Sequence, residues 1–287
     1  MQDLRPDFER LRALKNEPRS AERLAVHYAI ETRLAKRLAE STQAERATLY
    51  AEAYRQLFDL VDDHPQRRAG TAARADRIRA QVAFLRRWLA PGATYVEIGC
   101  GDAVLTKAIA PFVAASIGVD VTPVLVDAVA APPSFRFVRT AGAALDLLSS
   151  SVDLVYSNQL MEHLHVDDAN LQLAEVFRVL KPGGRYICVT PNRLTGPHDI
   201  SGYFGYAPTG LHLREYDHRS LGRLFRRAGF ATVTALVTLK GRTLRLPVGP
   251  LAVAEAALDV LPRALRTRIA LNRVVANGLG VTLMGTK

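Results

Sequence analysis

The chain has 287 residues, 48% of them hydrophobic, and two cysteines without metal-ligand or redox spacing, which excludes a disulfide scaffold and reads as buried thiols in a reducing compartment. No basic-then-apolar leader opens it and no run approaches about 20 apolar residues, so the expected location is cytoplasmic. The net charge of +10 is uneven, at +5 over residues 1–90, −4 over 91–213 and +9 over 214–287, so the last third suits an anionic partner or carries a solvated arginine-rich face.

Residues 1–90 read as a helical region. Leu24, Tyr28, Glu31, Ala35 and Leu38 recur at helical spacing, as do Tyr50, Tyr54, Leu57 and Val61, then Ile78, Val82, Leu85 and Leu89. "DDHPQRRAG" (62–70) interrupts that pattern. From Thr94 the rhythm changes to short apolar runs: 94–99, 115–121, 135–139, 152–158 and 184–190. Between them lie helical stretches in "DAVLTKAIAPF", "TPVLVDAVA" and "NLQLAEVFRVL". Such alternation predicts a parallel sheet with helices on both faces. "SLGRLFRRAGF" reads as a helix stopped by Gly229. "ATVTALVTL" and "GVTLMG" read as strands, with an apolar-basic helical insert over 248–279 between them.

The first strand runs into "EIGCGDA". Gly99 and Gly101 allow a sharp turn and close approach of a ligand to the backbone. A G-x-G-x-x-G dinucleotide turn would need glycine at position 104, which is Val104. Glu97 closes the first strand and Asp120 the second. An acid at the second position accepts hydrogen bonds from ribose hydroxyls. Turn and acid together place a nucleoside there, and Glu97 points to a cationic group.

At these residues the sequence resembles the class I S-adenosylmethionine-dependent methyltransferases. "VEIGCGDA" is similar to their first motif, "VDLVYSNQLMEHL" to their fourth strand and the segment after it, and "LKPGGRYICVTPN" to the turn into their fifth. The resemblance implies an α/β, Rossmann-like sheet of seven mostly parallel strands, ordered 3-2-1-4-5-7-6 with the last antiparallel. It implies S-adenosyl-L-methionine as cofactor. Glu97, Gly99 and Gly101 would line the methionine side, with Cys100 in the turn. Asp120 would hold the ribose, with Val121 beside it. Thr140 and Ala141 would flank adenine, and Asn158 and Gln159 would approach the methionine amino group. Ala103 replaces the motif's third glycine. The implied organisation is a helical lid over 1–90 and a methyltransferase domain over 91–287.

After the fifth strand, residues 191–221 hold four glycines, three prolines, three histidines and three tyrosines. A loop this long at the carboxyl end of a strand suits an acceptor wall. Methyl transfer to a hydroxyl needs alignment, exclusion of water and removal of a proton. His198 is the first candidate base, because neighbouring Asp199 would orient the ring. His212 is second and His163 third. Asp199, Tyr203, Tyr206 and Arg214 are candidate acceptor contacts, with packing as the alternative. "SNQLM" stands where several amino-group methyltransferases carry N-P-P-Y/F. This favours O-methylation of a glycan, lipid-linked or natural-product acceptor. A basic insert helix (Arg263, Arg266, Arg273 opposite Leu265, Ile269, Ala276, Leu279) would suit peripheral contact with an anionic membrane. RNA methylation through the basic last third, and a non-catalytic binding module on the cofactor fold, are the alternatives.

Overall fold

The computed structural model describes residues 3–67, 72–123, 131–239, 241–262, 265–266, 269 and 279–287. Four helices come first: α1 (Phe8–Leu14), α2 (Ala21–Glu40), α3 (Gln43–Leu60) and α4 (Ala72–Leu85). The two longest start where the sequence supplies an acceptor for free amides. Ser20 accepts from Arg23 N ahead of α2. Thr42 and Glu45 form a reciprocal capping box ahead of α3.

The sheet follows as β1 (Thr94–Ile98), β2 (Ala115–Asp120), β3 (Phe135–Arg139), β4 (Val152–Asn158), β5 (Leu180–Thr190), β6 (Thr232–Leu239), β7 (Arg242–Pro247) and β8 (Val281–Thr286). Helices α5 (Val104–Ile109), α6 (Val166–Val179), α7 (His218–Arg227) and α8 (Val248–Asp259) are interleaved. The order is β3-β2-β1-β4-β5-β8-β6-β7. The first five strands are parallel, and β8 runs antiparallel to both β5 and β6. Strands 94–98, 115–120, 135–139 and 152–158 fall where the apolar runs put them.

Two expectations need correction. The sheet has eight strands rather than seven. The extra one is β7, a hairpin partner of β6 at the sheet edge. It is largely exposed, so its "RTLRLP" lacks the apolar alternation that marks a half-buried strand. Lys181-Pro-Gly-Gly is also not a plain turn: β5 already pairs Leu180 with Val152, then slips register before Leu154 meets Arg185. Of the 248–279 insert, α8 is helical. Arg263, Arg273 and Ala276 lie outside the described residues, as does most of "TPVLVDAVA".

The N-terminal helices share the sheet's core. Leu34, Leu38, Leu49, Ala53 and Leu57 from α2 and α3 form one buried cluster with Val96, Val119, Val155, Leu173 and Tyr216. That packing lays α3 over the carboxyl ends of β1, β2 and β4, where a cavity opens.

Candidate active site

The cavity begins at the end of β1. Gly99 and Gly101 both take left-handed conformations, with φ of 69° and 55°. Gly99 N and Cys100 N donate to Val119 O at 2.8 and 3.2 Å, folding the turn back onto β2. Gly101 N donates to Asp120 Oδ2 at 2.9 Å, and Thr122 N to Oδ1 at 3.3 Å. Burial raises the pKa of Asp120, against these backbone bonds, which lower it. A Cβ on Gly101 would meet nothing within 4 Å, and the residue lines the cavity. Glycine backbone facing open space beside a carboxylate with lone pairs left to accept from hydroxyls is what a ribosyl cofactor requires, so the residues present fit S-adenosylmethionine.

Thr140 and Gly142 after β3, and Gln159, Leu160, His163 and Leu164 after β4, continue the wall. Tyr50, Tyr54 and Phe58 of α3 roof it, and Gln172 of α6 closes one end.

A second group of polar side chains sits beneath. His163 Nδ1 is 3.0 Å from Leu211 O. A carbonyl only accepts, so Nδ1 carries the proton and Nε2 keeps a lone pair. Burial, with His212 nearby, pushes the His163 pKa down to about 3, so the ring is neutral. His212 Nδ1 donates to Glu215 Oε1 at 2.9 Å. Burial works against charge on His212, but this bond together with Glu162 and Asp199 holds its pKa above the usual value. Glu162 Oε2 accepts from Thr190 Oγ1 at 2.8 Å, while buried Oε1 has no partner among the described residues. Burial lifts the Glu162 carboxyl to about 7. Ligating atoms of Glu162, His163 and His212 lie within 4.8 Å of one another, so the group can pass a proton or hold a divalent cation.

A third cluster is spent on structure. Arg19 Nη1 donates to His27 Nδ1 at 2.9 Å, and His27 Nε2 meets Glu31 Oε1 at 2.7 Å. Glu31 Oε2 accepts from Leu211 N at 3.0 Å. Helix α2 thereby pins the strand of loop that carries His212 and supports His163.

A methyltransferase-domain family model matches residues 71–235. The chain belongs to the class I S-adenosylmethionine-dependent methyltransferases. A probable S-adenosylmethionine-dependent methyltransferase of Mycolicibacterium smegmatis is 34% identical over 154 residues, 53% of this chain and 58% of that protein. A ubiquinone biosynthesis O-methyltransferase of Cereibacter sphaeroides is 32% identical over 131 residues, 42% of this chain and 52% of that protein. The chain thus spans little more than half the length of these relatives. A chain in the complex of the Haloferax volcanii Trm112 methyltransferase activator with its methyltransferase shares the fold, with a TM-score of 0.51 and 19% identity over 74% of this chain and 90% of that one.

Within this methyltransferase the expected residues separate into two sets. Gly99, Gly101, Asp120, Val121, Thr140, Gln159 and His163 line the cavity. Glu97, Cys100, Ala141 and Asn158 are not on its wall. Glu97 is buried behind the turn, where Thr106 Oγ1 donates to it and ties α5 to β1. Burial pushes its pKa up to about 8. The Cys100 thiol packs over β2, 2.9 Å from where a Cβ on Gly118 would stand. Ala141 is exposed on the outer side, and its neighbour Gly142 reaches the cavity instead.

His198 is not oriented by Asp199. Its Nε2 lies 2.7 Å from Thr195 Oγ1 and 3.1 Å from Asn192 O, and the residue is not on the cavity wall. Asp199 accepts from Ser201, Gly210 and His212 backbone amides. Tyr203 is buried against Phe8 at a ring separation of 5.9 Å, and Tyr206 lies under the Arg5 guanidinium at 4.0 Å, so they fasten α1 and the segment before it to the loop. Arg214 is exposed, 5.6 Å over the Tyr216 ring. The residues sequence reasoning passed over are Glu162, Gln172 and Gly142. Glu162 stands inside the quoted "MEHL", and its proximity to two histidines was the available signal.

Proposed function

We propose that this methyltransferase transfers a methyl group from S-adenosylmethionine to a hydroxyl of a small-molecule, glycan or lipid-linked acceptor. The observation that carries the reading is that His163, its Nδ1 committed to Leu211 O, lines the same cavity as Gly101 and Asp120. The cofactor supplies a methyl on a cationic sulfur that leaves as a neutral thioether. Asp120 and the glycine turn bind and orient the nucleoside. Tyr50, Tyr54 and Phe58 exclude water above it, which strengthens every charge interaction beneath. His163 Nε2 takes the hydroxyl proton as the new bond forms. A weak base suffices, because the hydroxyl becomes strongly acidic once its oxygen begins to share electrons with carbon. Leu211 O holds the ring, and Glu162 offsets the charge it acquires.

The O-methyltransferase named among the relatives supports a hydroxyl acceptor. Exposed Arg219, Arg223 and Arg226 flank a shallow groove with Val253, which suits an anionic lipid-linked acceptor.

The test is radiolabelled methyl transfer to lipid, glycan and RNA fractions, with S-adenosylhomocysteine binding followed by calorimetry. His163→Gln should lower turnover by about 100-fold or more while leaving S-adenosylhomocysteine affinity within a few-fold. No binding at millimolar ligand, or label incorporated only into RNA, would sink the reading.

A further inference from the structure

We infer that Gln172 reads the adenine of the cofactor, its side-chain oxygen accepting from the 6-amino group. The inference rests on the cofactor reading above. Asp120 at the end of β2 marks the ribose. β3 lies on the far side of β2 from β1, so the base extends toward Thr140 and Gly142. That end is closed by three elements. Leu145 N donates to Glu175 Oε2 at 3.0 Å, tying the segment after β3 to α6 one turn beyond Gln172. A Cβ on Gly142 would come within 3.7 Å of Ala47 Cα, so α3 lies against the same segment.

Gln172 is 3% exposed and on the cavity wall, yet its Oε1 has no hydrogen-bond partner among the described residues. Two hydroxyls of the same wall are already committed. Tyr50 OH donates to Asp168 Oδ2 at 2.7 Å and accepts from His165 N at 2.9 Å, and Thr140 Oγ1 donates to Ala144 O. A buried acceptor without a donor costs free energy, so a group from outside the chain is the natural partner. Adenine presents a 6-amino donor beside a ring-nitrogen acceptor. A primary amide answers both at once, the pairing by which glutamine recognises adenine elsewhere. Thr140 and Ala141 were expected to flank the adenine; recognition of its amino group is assigned instead to a helix that the chain reaches only after β4.

The experiment is calorimetry with S-adenosylhomocysteine and its 6-deamino analogue, in which purine replaces adenine. The unaltered protein should prefer the amino compound by roughly fivefold or more, the worth of one hydrogen bond. Gln172→Leu should bring that preference below twofold, and Gln172→Glu, which keeps an acceptor, should retain it. Unfolding of the ligand-free Gln172→Leu protein gives an independent check. Its thermal midpoint should hold or rise, because the change removes an unsatisfied buried oxygen. Unchanged preference in Gln172→Leu, or a fall in midpoint with both ligands weakened alike, would overturn the inference alone. Failure of the unaltered protein to bind either ligand would overturn the cofactor reading and this inference with it.

Discussion

Replacing Gly101 by alanine separates the ligand's demands on the turn from those of the fold. At φ 55° an alanine pays about 1–2 kcal/mol for its Cβ. It regains about 0.4–1 kcal/mol because the unfolded chain loses freedom. Nothing stands within 4 Å of the new methyl, so no clash is added. The net cost is about 1 kcal/mol, or a fall of roughly 2–4 °C in thermal midpoint for a chain of this size. Binding has a different balance. Gly101 lines the cavity, and a methyl there that forces a ligand aside in a packed site costs about 1–3 kcal/mol, or roughly 5- to 150-fold in affinity. Scanning fluorimetry of the ligand-free protein and calorimetry with S-adenosylhomocysteine measure the two quantities. Full affinity in a folded Gly101→Ala protein would refute the placement of the cofactor against this turn. A drop in midpoint far beyond a few degrees would refute the reading of open space.

Two stability predictions follow from buried charge. The Glu97 pKa rises to about 8 in the folded chain from 4.5 in the unfolded one, so the native state holds a proton that the unfolded state releases. Its contribution to stability is complete below about pH 4.5 and falls by roughly 1.4 kcal/mol per unit as pH rises to about 8. Between pH 5.5 and 8 the midpoint of Glu97→Gln should therefore drop less than that of the unaltered protein, and parallel curves would contradict the account. Asp168 accepts from Arg46 Nε at 2.6 Å and from Tyr50 OH at 2.7 Å, all buried. Asp168→Ala strands a guanidinium and should cost about 3–5 kcal/mol in urea unfolding. The Arg46→Met/Asp168→Leu pair should restore most of that loss, and a double variant as unstable as the single one would contradict the account.

What the sequence alone carried was everything that depends on neighbours along the chain. Short apolar runs placed β1 to β4, three of which are buried on both faces, and the 3.6-residue rhythm placed helices α2 to α7, where burial of one face imposes that period. Gly99, Gly101 and Asp120 were legible because a turn that must go left-handed, and an acid at a strand end, are local requirements. Ala103, the motif's departure, holds a left-handed φ of 58° without glycine, buried at the N-terminus of α5. β7 escaped notice because an exposed edge strand needs no apolar face.

Tertiary structure alone decided which side chains share the cavity. Glu97 and Cys100 sit in the turn's own stretch yet face α5 and β2. His198 adjoins Asp199 in sequence and does not meet it in space. His163, the third candidate, lines the cavity, and a carbonyl 48 residues away fixes its tautomer. Gln172 depends on the rotation of α6 about its axis, and the loop after β5 depends on Glu31 gripping Leu211 across 180 residues. Such contacts are set by how helices pack over strand ends, and packing leaves no periodic trace in the order of residues.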